Sequence, residues 1–408
     1  MLKVEDAQNK ILGHASVQNS FRLDLLDSWH YVLAEEVRSD TDLPSFDNSA
    51  VDGFAIRSVD AKGVSITTPK LFQVIGESHA GSHCEAELTE GSAVRIMTGA
   101  PIPKNADACV MVEDTRSAAD NCVLIREAVD FGQHVRRSGE DVLKGDLVLR
   151  PGMLIGAAEI AMLAAAGAKN PLVFRKPRVA VVSTGDEVVD PASGTLPPYG
   201  KIRNSNLYAL AAMVRESGAE LHSMNHIPDD LNETESVFRK LSEVGQADVI
   251  VSAGGVSMGD RDYIKPALEK LGRLEFWKVA MKPGKPLAFG TIGNTLVFGL
   301  PGNPVSAMVT FELFVRPVIK KLAGRKQNDL FRMTAEGISS CDLAHSPGRE
   351  EYIRAHSEMI DGRLTAVPTG LQSSGILSSM IGANSYIILA EESSGIQRGE
   401  RVKIMLLS

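Results

Sequence analysis

The stretch ADVIVSAGGVSMGDRDYIKPALEKLG, from Ala247 to Gly272, decides how this chain is read. It begins as an apolar, β-branched run, which suits a strand. The run stops at Gly254 and Gly255. Ser257, Gly259, Asp260 and Asp262 follow within a few residues, and the segment then takes on helical spacing. In open α/β sheets, ligands bind outside the carboxyl ends of strands. A strand closing in paired glycines and carboxylates therefore raises the question of what it holds.

The alternation continues on either side. PRVAVVSTG reads as a strand and turn, and NSNLYALAAMVRESGAE opens with capping residues and reads as a helix ending at Gly218. ELHSMNHI reads as a strand and DLNETESVFRKLSEVG as a helix. This spacing predicts a central layered α/β domain with a mostly parallel sheet over residues 171–324. Residues 1–40 look helical, because VEDAQNKILGH and RLDLLDSWHYVLAEEV place apolar residues three and four apart; the texture returns at 141–170. Between them, residues 41–140 carry short runs such as KLFQVIG, SAVRIM, ACVMVE and NCVLIRE, divided by turn residues. The expectation is a β-rich module inserted into a discontinuous helical N-terminal domain. Residues 325–408, with REEYIRAHS, RLTAVP, NSYIILAEE and ERVKIMLLS, read as a small all-β, barrel-like domain.

Composition closes off several classes. Hydrophobic residues make up 44% and charged residues 23%, as in an ordinary globular protein. A chain of 408 residues suits about two to four domains. The net charge of -8 offers no basic field to nucleic acid or an anionic membrane, so neither is expected as a partner. Cys84, Cys109, Cys122 and Cys341 form no Cys-x-x-Cys pair, which argues against structural zinc and a disulfide framework. His79, His83 and Cys84 are close in sequence, but in a small, polar loop context. No basic flank precedes an apolar core at the N-terminus. The most apolar window, 153–168, is too short to span a bilayer and contains Glu159. A cytoplasmic location is expected.

Three strand ends of the α/β region are chemically loaded. The first carries Ser183, Thr184, Gly185, Asp186 and Glu187; the second is the opening stretch. The third is LVFGLPGNPVSAMVTFELF, where Asn303 suits an N-cap, Pro304 suits the first helical position, and the turn would aim free N–H groups at an anion. Glycines let backbone approach a phosphate, Ser257 can donate, and Asp260 or Asp262 can hold a Mg²⁺ bridging phosphate oxygens. The same residues suit a plain turn whose acids cap the next helix; three loaded ends in one domain favour the ligand reading. In FWKVAMKPGKPLAFG, Lys278, Lys282 and Lys285 surround a Pro-Gly turn between apolar flanks. They read either as an oxyanion patch or as a solvated hairpin. In LPSFDNSAVDGFAIRS, Asp47, Asn48, Ser49 and Asp52 crowd a segment that reads as a site or a turn-rich linker. Thr98, Glu140 and Asp141 carry weaker signals.

PSFDNSAVDGFA, STGDE, GGVSMGDRDY, KPGKP and GLPGNPVSA occur in that order. Together they resemble the molybdopterin molybdenumtransferases, the molybdenum insertases that include MoeA proteins and the E domain of gephyrin. The resemblance covers roughly Val4 to Ser408. It implies an enzyme that inserts molybdate into the dithiolene of adenylylated molybdopterin, with Mg²⁺-dependent release of AMP, to give molybdenum cofactor. It also implies an elongated homodimer of four-domain subunits, with a cleft between the α/β domain of one subunit and the N-terminal module of the other. Molybdate is a dianion and asks for cationic and hydroxyl donors. The sulfur ligands come from the dithiolene, so no cysteine cluster is needed.

Carried onto this sequence, the resemblance gives Asp229 and Asp262 to Mg²⁺ and nucleotide handling, and Asp186 and Glu187 to an acid pair after the first strand. Lys278, Lys282, Lys285 and Pro286 match the turn near molybdate; Arg354 and Ser374 match C-terminal oxyanion contacts. Pro301 and Pro304 shape the pocket. Asp52, Thr98 and Asp141 would face the partner subunit's cleft. The expected catalytic set is Asp52, Glu187, Asp229, Asp262, Lys278 and Lys282. Ser183, Thr184, Gly185, Gly254, Gly255 and Ser257 are expected against substrate. Three positions depart from the family pattern: Val51 stands for Met, Asn204 for an acid and Ser373 for Gly, which makes Ser373 a second candidate oxyanion donor. Two other readings share parts of the pattern. A molybdopterin adenylyltransferase has the α/β module and the GGVS strand end but is a single compact domain. A scaffold would use the body only to bind molybdopterin and partners. Expected protein partners are the adenylyltransferase and acceptor molybdoenzymes or their chaperones.

Overall fold

The computed structural model describes residues 1–82, 84–194, 196–256 and 262–407. Its central sheet runs in the order Glu220–Ile227, Arg178–Thr184, Val249–Ala253, Thr295–Leu300, Ala288–Ile292, Arg273–Trp277. The first four strands are parallel and the last two antiparallel. Every residue of Val249–Ala253 is buried, as a β-branched run must be when helices cover both faces. Val179 and Val181 face one core with the helices Ser205–Glu216 and Arg316–Leu322. Ala180 and Val182 face the other, with Phe238 and Leu241 of Leu231–Leu241 and Ile264 and Leu268 of Ile264–Leu271. From Arg178–Thr184 the chain passes to the edge and returns beyond its starting strand. The connection therefore reverses direction between Arg178–Thr184 and Val249–Ala253, and the crevice at their carboxyl ends is where such sheets bind ligands.

Two local expectations change. The helix Val4–Gly13, grouped with the N-terminal unit, instead buries Val4, Ala7, Ile11 and Leu12 against the α/β domain. Gln8 Nε2 donates to the Leu313 carbonyl at 3.0 Å, and Lys321 Nζ to that of Leu12 at 2.6 Å. The segment RLDLLDSWHYVLAEEV is no helix. Ser20–Arg22 and Val32–Leu33 flank Leu172–Phe174, Val37–Arg38 pairs with Leu147–Leu149, and only a 3₁₀ turn at Leu26–Ser28 is helical. A helix would have put Leu26 and Trp29 inside; they are 76% and 54% exposed. Partners more than 100 residues away in sequence override the local spacing. The one α-helix in 141–170 is Ala157–Ala165, whose Glu159 carboxylate accepts from the Gly156 N–H at 2.9 Å.

The inserted module is a six-stranded sheet in the order Ala108–Met111, Gly53–Ile56, Ser92–Ile96, Lys70–Ser78, Cys122–Ile125, Thr115–Ala118. Gly53 pairs with Ile96 on one side and Met111 on the other; a Cβ at Gly53 would meet the Val110 carbonyl at 1.8 Å, so only glycine fits. At the C-terminus, Glu350–Ile360 pairs with both Arg363–Pro368 and Ser385–Leu389. With Thr334–Ser339 and Arg401–Leu406 this closes a five-stranded barrel and leaves no open edge. Met281 and Lys282 pair in parallel with Glu350 and Glu351, which fastens the lysine turn of the α/β domain to the barrel.

Candidate active site

A cleft of about 500 Å³ opens at the carboxyl ends of the central strands. The first strand contributes Thr184, Gly185 and Glu187, the second crossover Asp229, and the opening stretch Gly254, Gly255 and Asp262. Pro286, Pro301 and Pro304 complete the wall. Ten residues expected from sequence therefore converge here. Gly254 and Gly255 have φ of 97° and 66°, and a Cβ on Gly254 would lie 2.7 Å from Thr184 Oγ1. Gly185, at φ 131°, leaves room that the Glu187 carboxylate fills: a Cβ there would meet Glu187 Oε2 at 2.4 Å. Asp186 and Asp229 exchange bonds, the Asp229 N–H donating to Asp186 Oδ1 at 3.2 Å and the Asp186 N–H reaching Asp229 Oδ2 at 3.4 Å.

Asp262 is the electrostatic anomaly of the cleft. Both its carboxylate oxygens are buried, and the N–H groups of Ile264 and Lys265 near them make no well-aligned hydrogen bond; Thr184 Oγ1 is likewise buried and unpartnered. Burial pushes the Asp262 carboxyl up to about 7; the nearby N–H groups of Ile264 and Lys265 and the Lys265 charge offset only part of this. Unpaired buried oxygens are costly, so they point to a place where a ligand could complete the bonding. Among the described residues, no group of three or more His, Cys, Asp or Glu is placed to hold a metal by itself. One or two carboxylates beside open space instead suit Mg²⁺, which keeps waters and takes phosphate oxygens.

Several of the expected site residues already bond within the chain. Ser183 is 2% exposed; its hydroxyl accepts from Asn204 Nδ2 at 2.7 Å and meets His226 Nδ1 at 3.1 Å. These bonds fasten the strand to the helix that Asn204 caps. Asn204, where the family pattern has an acid, caps Ser205–Glu216 by accepting from the Leu207 N–H at 3.1 Å. A carboxylate could cap equally but could not donate to Ser183. Arg354 is fully buried: Nε donates to Ser379 Oγ at 3.1 Å and Nη2 to the Ser373 and Leu371 carbonyls at 3.2 and 3.4 Å. Its guanidinium holds the loop carrying Ser373 and Ser374. Asn303 occupies the N-cap position of Pro304–Thr310 without a side-chain cap bond. Its amide donates to Ser374 Oγ at 3.1 Å, while the Ser374 carbonyl accepts from the Val305 N–H at 3.2 Å. That loop thereby takes one of the N–H groups expected to face an anion.

The lysine turn lies where the α/β domain meets the barrel. Lys282 Nζ is 2.9 Å from Glu351 Oε1, and Glu351 Oε2 is 2.8 Å from His345 Nδ1; the acid is buried and the lysine exposed at its tip. Sequence reasoning missed Glu351 and His345. The signal was an acid at an inward position of an apolar strand. Lys285 is exposed and Lys278 half-buried. Asp52, Thr98 and Asp141 do not line this cleft. Asp52 Oδ1 accepts from the Thr98 N–H at 2.7 Å and its hydroxyl at 2.9 Å, bonds that hold its carboxyl below the usual range. Asp141 offers an exposed side chain. Ser257, Gly259 and Asp260 lie outside the described residues, as does His83. A wider cavity of about 710 Å³ lies in the β-rich module, but its Asp47 is already held by Arg137 at 2.6 Å and the Ser138 N–H at 2.8 Å.

Comparison with known proteins gives matches along the whole chain. Residues 2–167 match a family model described as the MoeA N-terminal region (domain I and II), residues 180–321 a probable molybdopterin binding domain, and residues 336–407 the MoeA C-terminal region (domain IV). A molybdopterin molybdenumtransferase of Haemophilus influenzae is 36% identical, over 99% of this chain and 98% of that protein. One from Bacillus subtilis is 34% identical, over 100% and 94%. The crystal structure of a molybdopterin biosynthesis MoeA protein from Pyrococcus horikoshii OT3 superposes with a TM-score of 0.83 at 30% identity, covering 100% of both chains. Fold and cleft thus define a transferase of molybdenum cofactor biosynthesis with a molybdopterin-binding α/β domain. The chain belongs to the molybdopterin molybdenumtransferase family. Among the described residues no helix is long and apolar enough to cross a membrane.

Proposed function

We propose that this chain inserts molybdate into the dithiolene of adenylylated molybdopterin and releases AMP in a Mg²⁺-dependent step. The observation that carries the reading is the set of unpartnered oxygens at the switch point of the sheet, on Asp262 and Thr184. Asp262 and Asp229 would hold Mg²⁺, which supplies positive charge to the phosphate oxygens when bound. Gly254 and Gly255 bring backbone close to the phosphates, and Thr184 donates its hydroxyl. Glu187, at the rim, orients a hydrogen-bonding group of the substrate. Asp186 fixes Asp229 from the neighbouring loop.

Lys278, Lys282 and Lys285 offer cations to molybdate, and Ser374 a hydroxyl. Because Ser374 Oγ already accepts from Asn303, its own proton is free to be donated to an oxyanion. Asp52, Thr98 and Asp141 act on a partner's cleft in a homodimer, which gives the N-terminal module a catalytic part despite its absence from this one. The enzyme works in the cytoplasm, between the adenylyltransferase that makes its substrate and the molybdoenzymes or chaperones that accept the product. The N-terminal and C-terminal matches weigh against a single-domain adenylyltransferase, and the unpaired cleft oxygens weigh against a scaffold alone.

Calorimetric titration with AMP tests the nucleotide end of the cleft. Mg²⁺ is expected to tighten AMP binding about tenfold, an ordinary coupling between neighbouring ligands. Equal affinity with and without Mg²⁺ would remove the ion from this account.

A further inference from the structure

A third cavity, of about 220 Å³, lies where the N-terminal unit meets the ends of two α/β helices. Tyr31 and Phe174 form one side. Lys176, Arg215, Arg316, Lys320 and Arg325 all line it. Among the described lining residues the single carboxylate is Glu216, and Arg332 Nη2 already meets it at 3.4 Å. Glu312 is shared between Arg316 Nε at 3.3 Å and Arg332 Nε at 2.7 Å. Arg325 is taken by Asp329 at 3.3 Å. Glu220 acts on Lys176, whose ammonium sits 4.2 Å from the Tyr31 ring centre.

The acids are therefore spent, and positive charge remains. Arg316 is 8% exposed, and its Nη1 is buried with no partner. Burial, then the charges of Arg316, Arg325 and Arg332, pull the Lys320 ammonium down to about 8. Helix C-termini attract cations through the carbonyl dipole, and that accounts for some of these residues. It does not account for a buried guanidinium nitrogen that finds no acceptor.

We propose that this cavity is a second binding site, distinct from the cleft, for a free tetrahedral oxyanion of the phosphate, sulfate or molybdate class. Arg316 Nη1 and Lys320 are its central donors. Its volume suits a small dianion with a few waters, and occupancy would draw the N-terminal unit onto the α/β domain.

The test is thermal unfolding of the full chain in phosphate, sulfate or molybdate against chloride at equal ionic strength. A saturable rise of about 2–5 °C is expected, by linkage of binding to folding. Lys282→Ala, in the lysine turn against the barrel, is expected to keep the rise. Lys320→Met is expected to weaken the apparent affinity at least fivefold, and Arg316→Leu to do the same. Arg316→Leu also breaks the Glu312 ion pair, whereas Lys320→Met breaks one hydrogen bond, to the Asp329 carbonyl at 3.1 Å; Lys320→Met is therefore the deciding variant, read on the dianion dependence and not on the midpoint itself. Equal response to all three anions identifies a general oxyanion site; response to molybdate alone identifies a site for the metal substrate. No saturable rise, a rise untouched by Lys320→Met, or one lost in Lys282→Ala would overturn the proposal.

Discussion

Asp262→Asn is expected to lower AMP release at least 10²-fold while making the protein more heat-resistant above pH 7. The loss follows from removing the charged ligand best placed for Mg²⁺, with little change in shape. The gain follows from linkage. The Asp262 carboxyl is raised to about 7 in the fold, against about 4 in an unfolded chain. Between those values the folded state binds the extra proton, so wild-type stability falls as pH rises through the window. At pH 5 the acid is neutral in the fold and the variant gains little. At pH 8 the wild type carries a buried charge that the variant lacks. After allowance for partial exposure of the group, the difference is about 1–2 kcal/mol. Unfolding midpoints of both proteins at pH 5 and pH 8, without Mg²⁺, check the sign. Added Mg²⁺ should raise the wild type at pH 8 and leave the variant unmoved. Full AMP release by Asp262→Asn would take this residue out of the site.

Lys282→Ala is expected to raise the molybdate concentration for half-maximal AMP release about tenfold, the effect of one charge-assisted contact. AMP affinity should stay within about twofold, since the turn lies beyond the nucleotide end of the cleft. The same change leaves Glu351 buried with only His345 beside it, at a cost of about 1–2 kcal/mol in stability. Glu351→Gln separates the two effects. It keeps the lysine but removes the anion that holds its ammonium, so a smaller rise in molybdate requirement is expected. Unchanged molybdate dependence in both variants would refute the oxyanion assignment of the turn.

What could be read in the sequence divides along physical lines. Glu220–Ile227 coincides with ELHSMNHI, and Ser205–Glu216 begins beside the capping residue Asn204. These elements are set by local pattern, apolar period and caps, which a sequence displays directly. The three loaded strand ends converge because parallel strands share one carboxyl edge, a rule of topology and not of particular contacts. Arg22 to Val37 misleads because its partners, Leu172–Phe174 and Leu147–Leu149, are distant in sequence. Ser183 and Arg354 were in the right neighbourhood, but their bonding is decided by burial. A hydroxyl between Asn204 and His226 and a guanidinium among loop carbonyls look, in sequence, like donors available to substrate. The buried pair Glu351–His345 comes from a different domain than Lys282, so the inward acid of an apolar strand is visible in the sequence but its lysine partner is not.

The most direct measurement is AMP release from adenylylated molybdopterin by the purified protein with Mg²⁺, with and without molybdate. The account predicts release that requires molybdate and disappears in Asp262→Asn. Release independent of molybdate, or no release while molybdopterin remains tightly bound, would contradict it.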